Sequence, residues 1–288
     1  MTTEAVDAVR MIHAHFRNVL TELTPDDWSK DSGCQGWRVQ DLLAHVTSNQ
    51  KEFVDPTPVP DEPVPAMTAE EAMEALVAPR KDWTVDELLA EYDRYADPWF
   101  DVLDAMQQEP TASTRGPLAD LGTYPMHMVA NAFAFDHYCH LRIDLLQPTG
   151  PIAADVPAVT DAEIRPGIDW MLAGIPQMQP GELELVITAP LGLRLTGPGG
   201  GEWTIRMGGS EIVVSDGLAD DVAATVESSA HDFVRWGTQR CDWRECCTVD
   251  GDGDFAAAVS YTHLRAHETV VRISYAVFCL KRGGGGGG

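Results

Sequence analysis

Basic residues are scarce in this sequence. Its 288 residues contain 20 Lys and Arg against 45 Asp and Glu, which gives a formal net charge of -25. A surface this acidic repels phosphate backbones and anionic lipid, so we expect neither a nucleic-acid-binding protein nor a polybasic membrane anchor. Long hydrophobic runs are also missing, because no apolar run reaches the roughly 18 residues that a spanning helix needs. The opening MTTEAVDAVRMIHAHF is amphipathic rather than signal-like, and we therefore expect a cytoplasmic protein.

Cysteine pairs at disulfide or metal-binding spacing are missing as well. The six cysteines stand at positions 34, 139, 241, 246, 247 and 279, without a repeated C-x-x-C pair. This pattern predicts neither a disulfide framework nor a thiolate zinc ribbon. Of the vicinal Cys246 and Cys247, we expect one to be buried and inert in a short strand.

The last residues differ in character from all that precedes them. The stretch SYTHLRAHETVVRISYAVFCLKRGGGGGG, residues 260–288, reverses the sign of the charge and ends in six glycines. Reverse-translated, SYTHLRAHET and ISYAVFCL fit the two ends of a common transposase-type sequencing adapter. We therefore interpret residues 260–288 as a translated non-native tail, with the natural sequence ending near Val259.

Hydrophobic periodicity predicts a helical first domain over residues 1–160. Four stretches, 4–23, 39–54, 85–106 and 125–146, have apolar residues at helical spacing, and proline-rich or turn-rich links separate them. Pro125 is acceptable in the first turn of the fourth helix. Four long helices with irregular links are typical of a four-helix bundle, whose core is a usual place for sites built from facing helices.

The hydrophobic pattern changes in the second half of the sequence. A bridging helix is predicted at about 161–176, and short alternating runs follow: ELELVITA, LRLTG, EWTIRMG, EIVVSD and VAATVESS. These runs read as antiparallel strands, and helices are predicted at AHDFVRWGT and at 254–258. The predicted fold class is α+β, with the bundle followed by a small α+β domain at 161–259.

Histidines outside the tail are few, and three of the seven lie on the fourth predicted helix. Asp136 and His140 are four residues apart, which places both side chains on one helical face. If the second and fourth helices face each other, His45 supplies a third ligand. Two imidazoles and one carboxylate are the ligand set of an open catalytic zinc site. His137 is a competing ligand rotated off that face, and a local polar contact without metal is the alternative interpretation.

The residues WSKDSGCQGWRVQDLLAHV resemble the N-terminal signature of the mycothiol-dependent maleylpyruvate isomerase family. The resemblance continues through FAFDHYCHLRIDL, similar to the second metal-binding helix of that family, and WGTQRCDWRECCTVDGDGDFAAAV near the end. It implies a DinB-like metal-binding bundle joined to a sterol-carrier-like α+β domain. It also implies that His45, Asp136 and His140 bind zinc, with Asp136 standing where the family has a glutamate.

The resemblance implies a mechanism in which mycothiol occupies the open zinc position as a thiolate. The thiolate adds to an activated double bond, allows rotation and leaves, or it displaces a leaving group. The expected enzyme is thus a mycothiol-dependent isomerase or S-transferase, acting on a dicarboxylate or another small electrophile. Because mycothiol supplies the thiol, Cys34 is assigned to packing, and Cys139 is expected to point away from the ligands.

Anionic substrates require arginine at the cleft of so acidic a chain. The candidates are Arg80, Arg94, Arg142 and Arg240, of which Arg240 is preferred because it follows a predicted helix in the family-like second domain. A surface salt bridge is its alternative role. Two other functions stay open: a non-catalytic, metal-braced protein that binds a small ligand in its second domain, and a structural partner without metal.

Overall fold

The structure is a computed structural model that describes residues 3–58, 69–118, 121–178 and 182–264. Most of the proline-rich link between the second and third predicted long helices, and residues 265–288 of the predicted tail, lie outside the described residues. Residues 260–264 continue a helix. The chain divides into two compact units, one ending at Pro157 and the other beginning at Ala158.

The first unit is helical. Its α-helices are α1 (Glu4–Glu22), α2 (Val39–Val54), α3 (Ala69–Val77), α4 (Val85–Met106) and α5 (Met128–Cys139), and a π-helical segment, His140–Leu145, continues α5. Short 3-10 turns occur at Asp27–Ser29 and Ala78–Arg80. Helix α2 packs against α4, and α1 packs against α5, so the four long helices form the predicted bundle.

Local sequence explains where two of these helices form. In α1, the stripe of Val6, Ile12 and Phe16 is buried, as its spacing predicts. Helix α4 begins with a capping box in which the Thr84 side chain accepts from the Glu87 backbone N–H and the Glu87 carboxylate accepts from the Thr84 N–H. These reciprocal bonds satisfy backbone donors that a helix start leaves free.

The fourth predicted helix begins later than its sequence pattern indicates. Pro125 does not lie in a first helical turn, and that prediction is wrong. It ends strand β2 (Thr123–Pro125), which pairs with β1 (Arg115–Pro117) in a small antiparallel hairpin. The Met126 N–H donates to the Thr114 carbonyl and extends this pairing. Helix α5 therefore starts only at Met128.

The second unit combines helices with one five-stranded sheet. In chain order it contains α6 (Asp161–Gly174), α7 (Glu182–Val186), β3 (Leu191–Thr196), β4 (Gly201–Gly208), β5 (Glu211–Asp216), β6 (Ala224–Ser229), α8 (Ala230–Gly237), α9 (Trp243–Cys246), β7 (Thr248–Gly251) and α10 (Gly253–Leu264). The strand order is β5-β4-β3-β6-β7, and all pairs are antiparallel except the central pair β3–β6, which is parallel. The predicted fold class, a four-helix bundle followed by a small α+β unit, is confirmed.

The run ELELVITA is not a strand, and its prediction is wrong. Its first part forms α7. Leu183 in this helix and Ile187, directly after it, are buried four positions apart, while Leu185 is 80% exposed. That spacing is helical, because a strand would bury Leu183 and Leu185 together on one face. A short run of alternating Glu and Leu satisfies both patterns, and packing against α10 decides between them.

Within the described residues, no helix combines the length and the apolar character that crossing a membrane demands.

Candidate metal centre

Three ionisable side chains meet in the interior of the helical unit. His45 projects from the middle of α2, and Asp136 and His140 project from the end of α5. All three are completely buried. His45 Nε2 lies 3.5 Å from Asp136 Oδ2, and His140 Nε2 lies 3.4 Å from Asp136 Oδ1. One ligand atom from each residue lies within 4.8 Å of the others, so the three side chains fit around a single cation.

Four polar atoms of this His45–Asp136–His140 cluster lack hydrogen-bond partners within the described part of the chain. They are both carboxylate oxygens of Asp136, Nδ1 of His45 and Nε2 of His140. Buried polar atoms are normally paired, because leaving one unpaired costs about 1–3 kcal/mol. A divalent cation would engage Asp136 and His140 at these atoms. Two imidazoles and one carboxylate are also a ligand set that zinc accepts, so the residues fit the metal that the sequence predicts.

The electrostatics of the cluster favour an ionised carboxylate. Burial alone would raise the pKa of Asp136, but the facing imidazoles of His140 and His45 outweigh it and hold the pKa well below its usual value. Burial lowers the pKa of His45 and keeps that ring neutral. For His140, burial also acts to lower the pKa, yet Asp136 overcomes it and raises the pKa well above normal. Without a metal, a proton on His140 thus balances the Asp136 charge, and a cation would replace that proton.

The other nitrogen of His140 has a partner of its own. Its Nδ1 lies 2.9 Å from Asp144 Oδ2, and both side chains are fully buried. The Cys34 thiol donates to the same carboxylate oxygen at 3.3 Å and lies 3.8 Å from His140 Nδ1. Cys34, His140 and Asp144 are thereby a second group of close ligand atoms. The assignment of Cys34 to packing misses this polar contact.

The turn that carries Cys34 is joined to the π-helical segment through its backbone. The Gly33 N–H donates to the Asp144 carbonyl at 2.8 Å. A Cβ atom at position 33 would lie only 2.8 Å from Asp144 Cα. Glycine therefore permits the close approach. Trp37 ends the same turn, and its ring centroid lies 5.1 Å from that of His45.

Further polar groups border the cluster. The Asn49 side-chain Nδ2, one turn after His45 on α2, lies 3.2 Å from His45 Nε2. His137 is buried against Trp99, and its Nε2 is 3.9 Å from Asp136 Oδ2, further than either predicted imidazole. Burial lowers the pKa of His137 to about 3 and keeps it neutral. This placement agrees with a ring rotated off the ligand face.

The predicted substrate arginines have different surroundings. Arg80 is buried, and its guanidinium binds the Glu91 carboxylate at 2.7 and 2.9 Å, which gives it a structural role. The Arg94 guanidinium lies over the Tyr95 ring, 5.3 Å from the ring centroid. Arg240 lies in the second unit beyond α8, with Nη1 3.5 Å from the Thr238 carbonyl. Its assignment to substrate stays a prediction.

The vicinal cysteines are not in a strand, and that prediction is wrong. Cys246 ends α9 and Cys247 precedes β7, because the Asp242 side chain accepts from the Arg244 N–H and starts a one-turn helix there. Both cysteines are partly exposed. Cys246 Sγ lies 3.4 Å from Cys241 Sγ. Cys139 is completely buried.

Sequence reasoning found the three cluster residues and missed two that surround them. Asp144 was overlooked although it follows His140 by four residues, the same spacing that links Asp136 to His140. Asn49 follows His45 by four residues as well. A search for polar residues one turn beyond each predicted ligand finds both.

Comparison with known proteins relates the chain to one family. Residues 9–142 match the sequence family described as the mycothiol maleylpyruvate isomerase N-terminal domain, and the segment includes His45, Asp136 and His140. Two crystal structures of the mycothiol-dependent maleylpyruvate isomerase, one of them of a His-to-Ala mutant, are similar with a TM-score of 0.53 and 17% identity. Each alignment covers 86% of this chain and 92% of that chain, and at this identity it shows the fold. A search among curated proteins finds no match.

Proposed function

Because residues 9–142 match the mycothiol maleylpyruvate isomerase N-terminal domain family, we propose that the chain is a metal-dependent enzyme that uses mycothiol as a thiol cosubstrate. Its reaction is the cis–trans isomerisation of a small unsaturated dicarboxylate, of maleylpyruvate type, or thiol transfer to a related electrophile. The observation that carries the proposal is the buried His45–Asp136–His140 cluster, whose ligand atoms converge. Within the described residues, both Asp136 oxygens and His140 Nε2 have no hydrogen-bond partner.

In this proposal the three cluster residues hold a divalent cation, with zinc as the preferred ion. A cation bound by three protein ligands lowers the pKa of a thiol at its free position and so supplies a thiolate nucleophile at neutral pH. Asp136 contributes the single negative charge. His45 enters as a neutral imidazole, because burial lowers its pKa.

The surroundings of the cluster prepare it for this role. All three side chains are fully buried, so bulk water does not compete for their donor atoms. Trp37 packs against the His45 ring and restricts its movement. Arg240 keeps its predicted role as a charged, bidentate donor to a substrate carboxylate, which does not depend on the geometry of the cluster.

The test starts from the purified full chain. We expect about one zinc per chain and maleylpyruvate isomerisation that requires both metal and mycothiol, with S-transfer to a model electrophile assayed in parallel. His45→Ala should lose metal and activity together. His127→Ala serves as a control, because the His127 ring is not part of the cluster and its Nδ1 lies 3.0 Å from the Ala112 carbonyl oxygen. A chain that retains full metal content without His45 would refute the ligand assignment.

The non-catalytic alternative predicts a ligand cavity in the second unit. An apolar pocket there is lined by residues that include Leu193, Val226, Phe233 and Trp236. Its cavity volume is about 20 Å³, which leaves room for little more than one water. This pocket therefore offers no space for a small organic ligand. Zinc at one per chain, with no change at the metal when mycothiol is added, would still favour that alternative.

A further inference from the structure

We propose that Asp144, supported by Cys34, is a positioning residue that fixes the ring of His140 so that Nε2 faces Asp136 and His45. The inference concerns the proposed metal site and rests on it, because that site requires His140 to bind the metal through Nε2. It gives a role in the site to the turn that carries Gly33 and Cys34 before α2.

The geometry of His140 supports this role directly. Its two nitrogens face two different carboxylates, with Nδ1 2.9 Å from Asp144 Oδ2 and Nε2 3.4 Å from Asp136 Oδ1. An ionised carboxylate can only accept a hydrogen bond, so the contact at 2.9 Å places a ring proton on Nδ1, directed at Asp144. A proton held at Nδ1 leaves Nε2 as the nitrogen that binds a metal, and a carboxylate at this position also makes the ring a stronger ligand.

Asp144 is itself fixed from two directions. The Cys34 thiol donates to Oδ2 at 3.3 Å, and this second hydrogen bond restricts rotation of the carboxylate. The Gly33 N–H holds the Asp144 carbonyl at 2.8 Å, and the missing side chain at Gly33 allows the turn to approach that closely. The turn and the π-helical segment therefore form one connected support for the ring.

A rival interpretation assigns Cys34, Asp144 and His140 Nδ1 to a cation of their own, since their ligand atoms also lie close together. The two interpretations differ at one atom. Positioning requires a proton on His140 Nδ1, whereas a second cation requires that nitrogen to be free of its proton.

The experiment uses the full chain, in wild-type form and as Asp144→Asn, Asp144→Ala, Cys34→Ser and Cys34→Ala variants. Asp41→Asn is the matched control, because Asp41 is a buried carboxylate of the same unit that bonds to Arg38 and not to His140. Three quantities are measured: zinc affinity by chelator competition, thermal stability of the metal-free chain, and the His140 Nδ1–H signal by NMR with labelled histidine.

We expect Asp144→Ala to weaken zinc binding roughly 10–100-fold and to abolish the protected Nδ1–H signal. Asp144→Asn keeps an acceptor oxygen and should retain the signal with a smaller loss of affinity. Cys34→Ser should stay closer to wild type than Cys34→Ala. Asp41→Asn should lower thermal stability without altering the signal.

Two outcomes would overturn the inference. One is an Nδ1–H signal and a zinc affinity that both survive in Asp144→Ala. The other is two zinc ions per chain with no Nδ1 proton in the wild type, which would establish the rival site. If the wild type binds no zinc but the Nδ1–H signal depends on Asp144 as described, the proposed function fails while the positioning of the ring stands.

Discussion

The rings of His45 and His140 lie 4.8 Å apart, centroid to centroid, at an interplanar angle of 75°. Two imidazoles in this edge-on arrangement direct nitrogens toward a common point, and the Asp136 carboxylate lies there, 3.5 Å from His45 Nε2 and 3.4 Å from His140 Nε2. The three groups come from two helices, so the closeness of α2 and α5 in the bundle decides whether they meet.

Loss of one imidazole should therefore remove the metal. We expect His45→Ala to weaken zinc affinity by more than the roughly 10–100-fold that loss of an outer hydrogen-bond partner causes. The measurement is a chelator competition titration, with His127→Ala as the control. Equal affinity in the two variants would contradict a role for His45 as ligand.

Metal removal should lower the stability of the first unit. A ligand that binds only the folded state adds about 2.7 kcal/mol when its free concentration is 100 times its Kd. We expect zinc to raise the Tm of the wild type and to leave Asp136→Asn nearly unchanged, because the amide removes the only negative charge of the cluster. Thermal unfolding with and without chelator measures both, and an equal rise in the variant would show that zinc stabilises the chain elsewhere.

Acid should destabilise the chain partly through His13. Burial lowers the pKa of His13 from 6.5 to about 4, and its ring stacks on Tyr92 with centroids 4.2 Å apart. The unfolded chain thus binds this proton more readily, so the stability conferred by neutral His13 is complete above pH 6.5 and is lost progressively as the pH falls toward 4.

The matching variant is His13→Phe, which keeps an aromatic ring but cannot titrate. Between pH 7 and pH 4 the wild type should lose more unfolding free energy than the variant, by a difference on the order of 3 kcal/mol at most. Denaturant titrations at several pH values provide the comparison. Parallel pH profiles would mean that His13 is already accessible to protons in the folded chain.

Two cysteines of the second unit should react slowly. Burial raises the pKa of Cys247 to about 12 and also raises the pKa of Cys246, so little thiolate is present at neutral pH. We expect alkylation by iodoacetamide at pH 7.5 to be at least about tenfold slower in the folded chain than in denaturant. Peptide mass spectrometry reads each site separately, and equal rates in both states would contradict the pKa shifts.

Spacing along one helix made part of the site predictable. Asp136 and His140 are one turn apart, and their contact follows from helical periodicity alone. The position of His45 opposite them depends on how α2 and α5 pack, which the family resemblance implied and periodicity did not. The contact between Cys34 and Asp144 has no local signal in the sequence, because it joins positions that are distant along the chain.

In the fold too, contacts between neighbouring segments are predictable from the sequence, and contacts between distant segments are not. Strands β4 and β5 follow from alternation and turn residues, because they are neighbours in sequence and pair directly. The parallel pairing of β3 with β6 has no local signal. Helix α7 was mistaken for a strand, since five residues are too few for either period to be distinct.

The central pair of the sheet has a consequence for how the second unit assembles. Leu191 pairs with Ala224, so β3 finds its parallel partner only after the β4–β5 hairpin has been placed between them in the chain. Closing that longer loop costs more chain entropy than forming the hairpins does, and such distant pairings slow folding. We therefore expect β6 and β7 to pair with the sheet late in folding, and this pairing to limit the folding rate of the second unit.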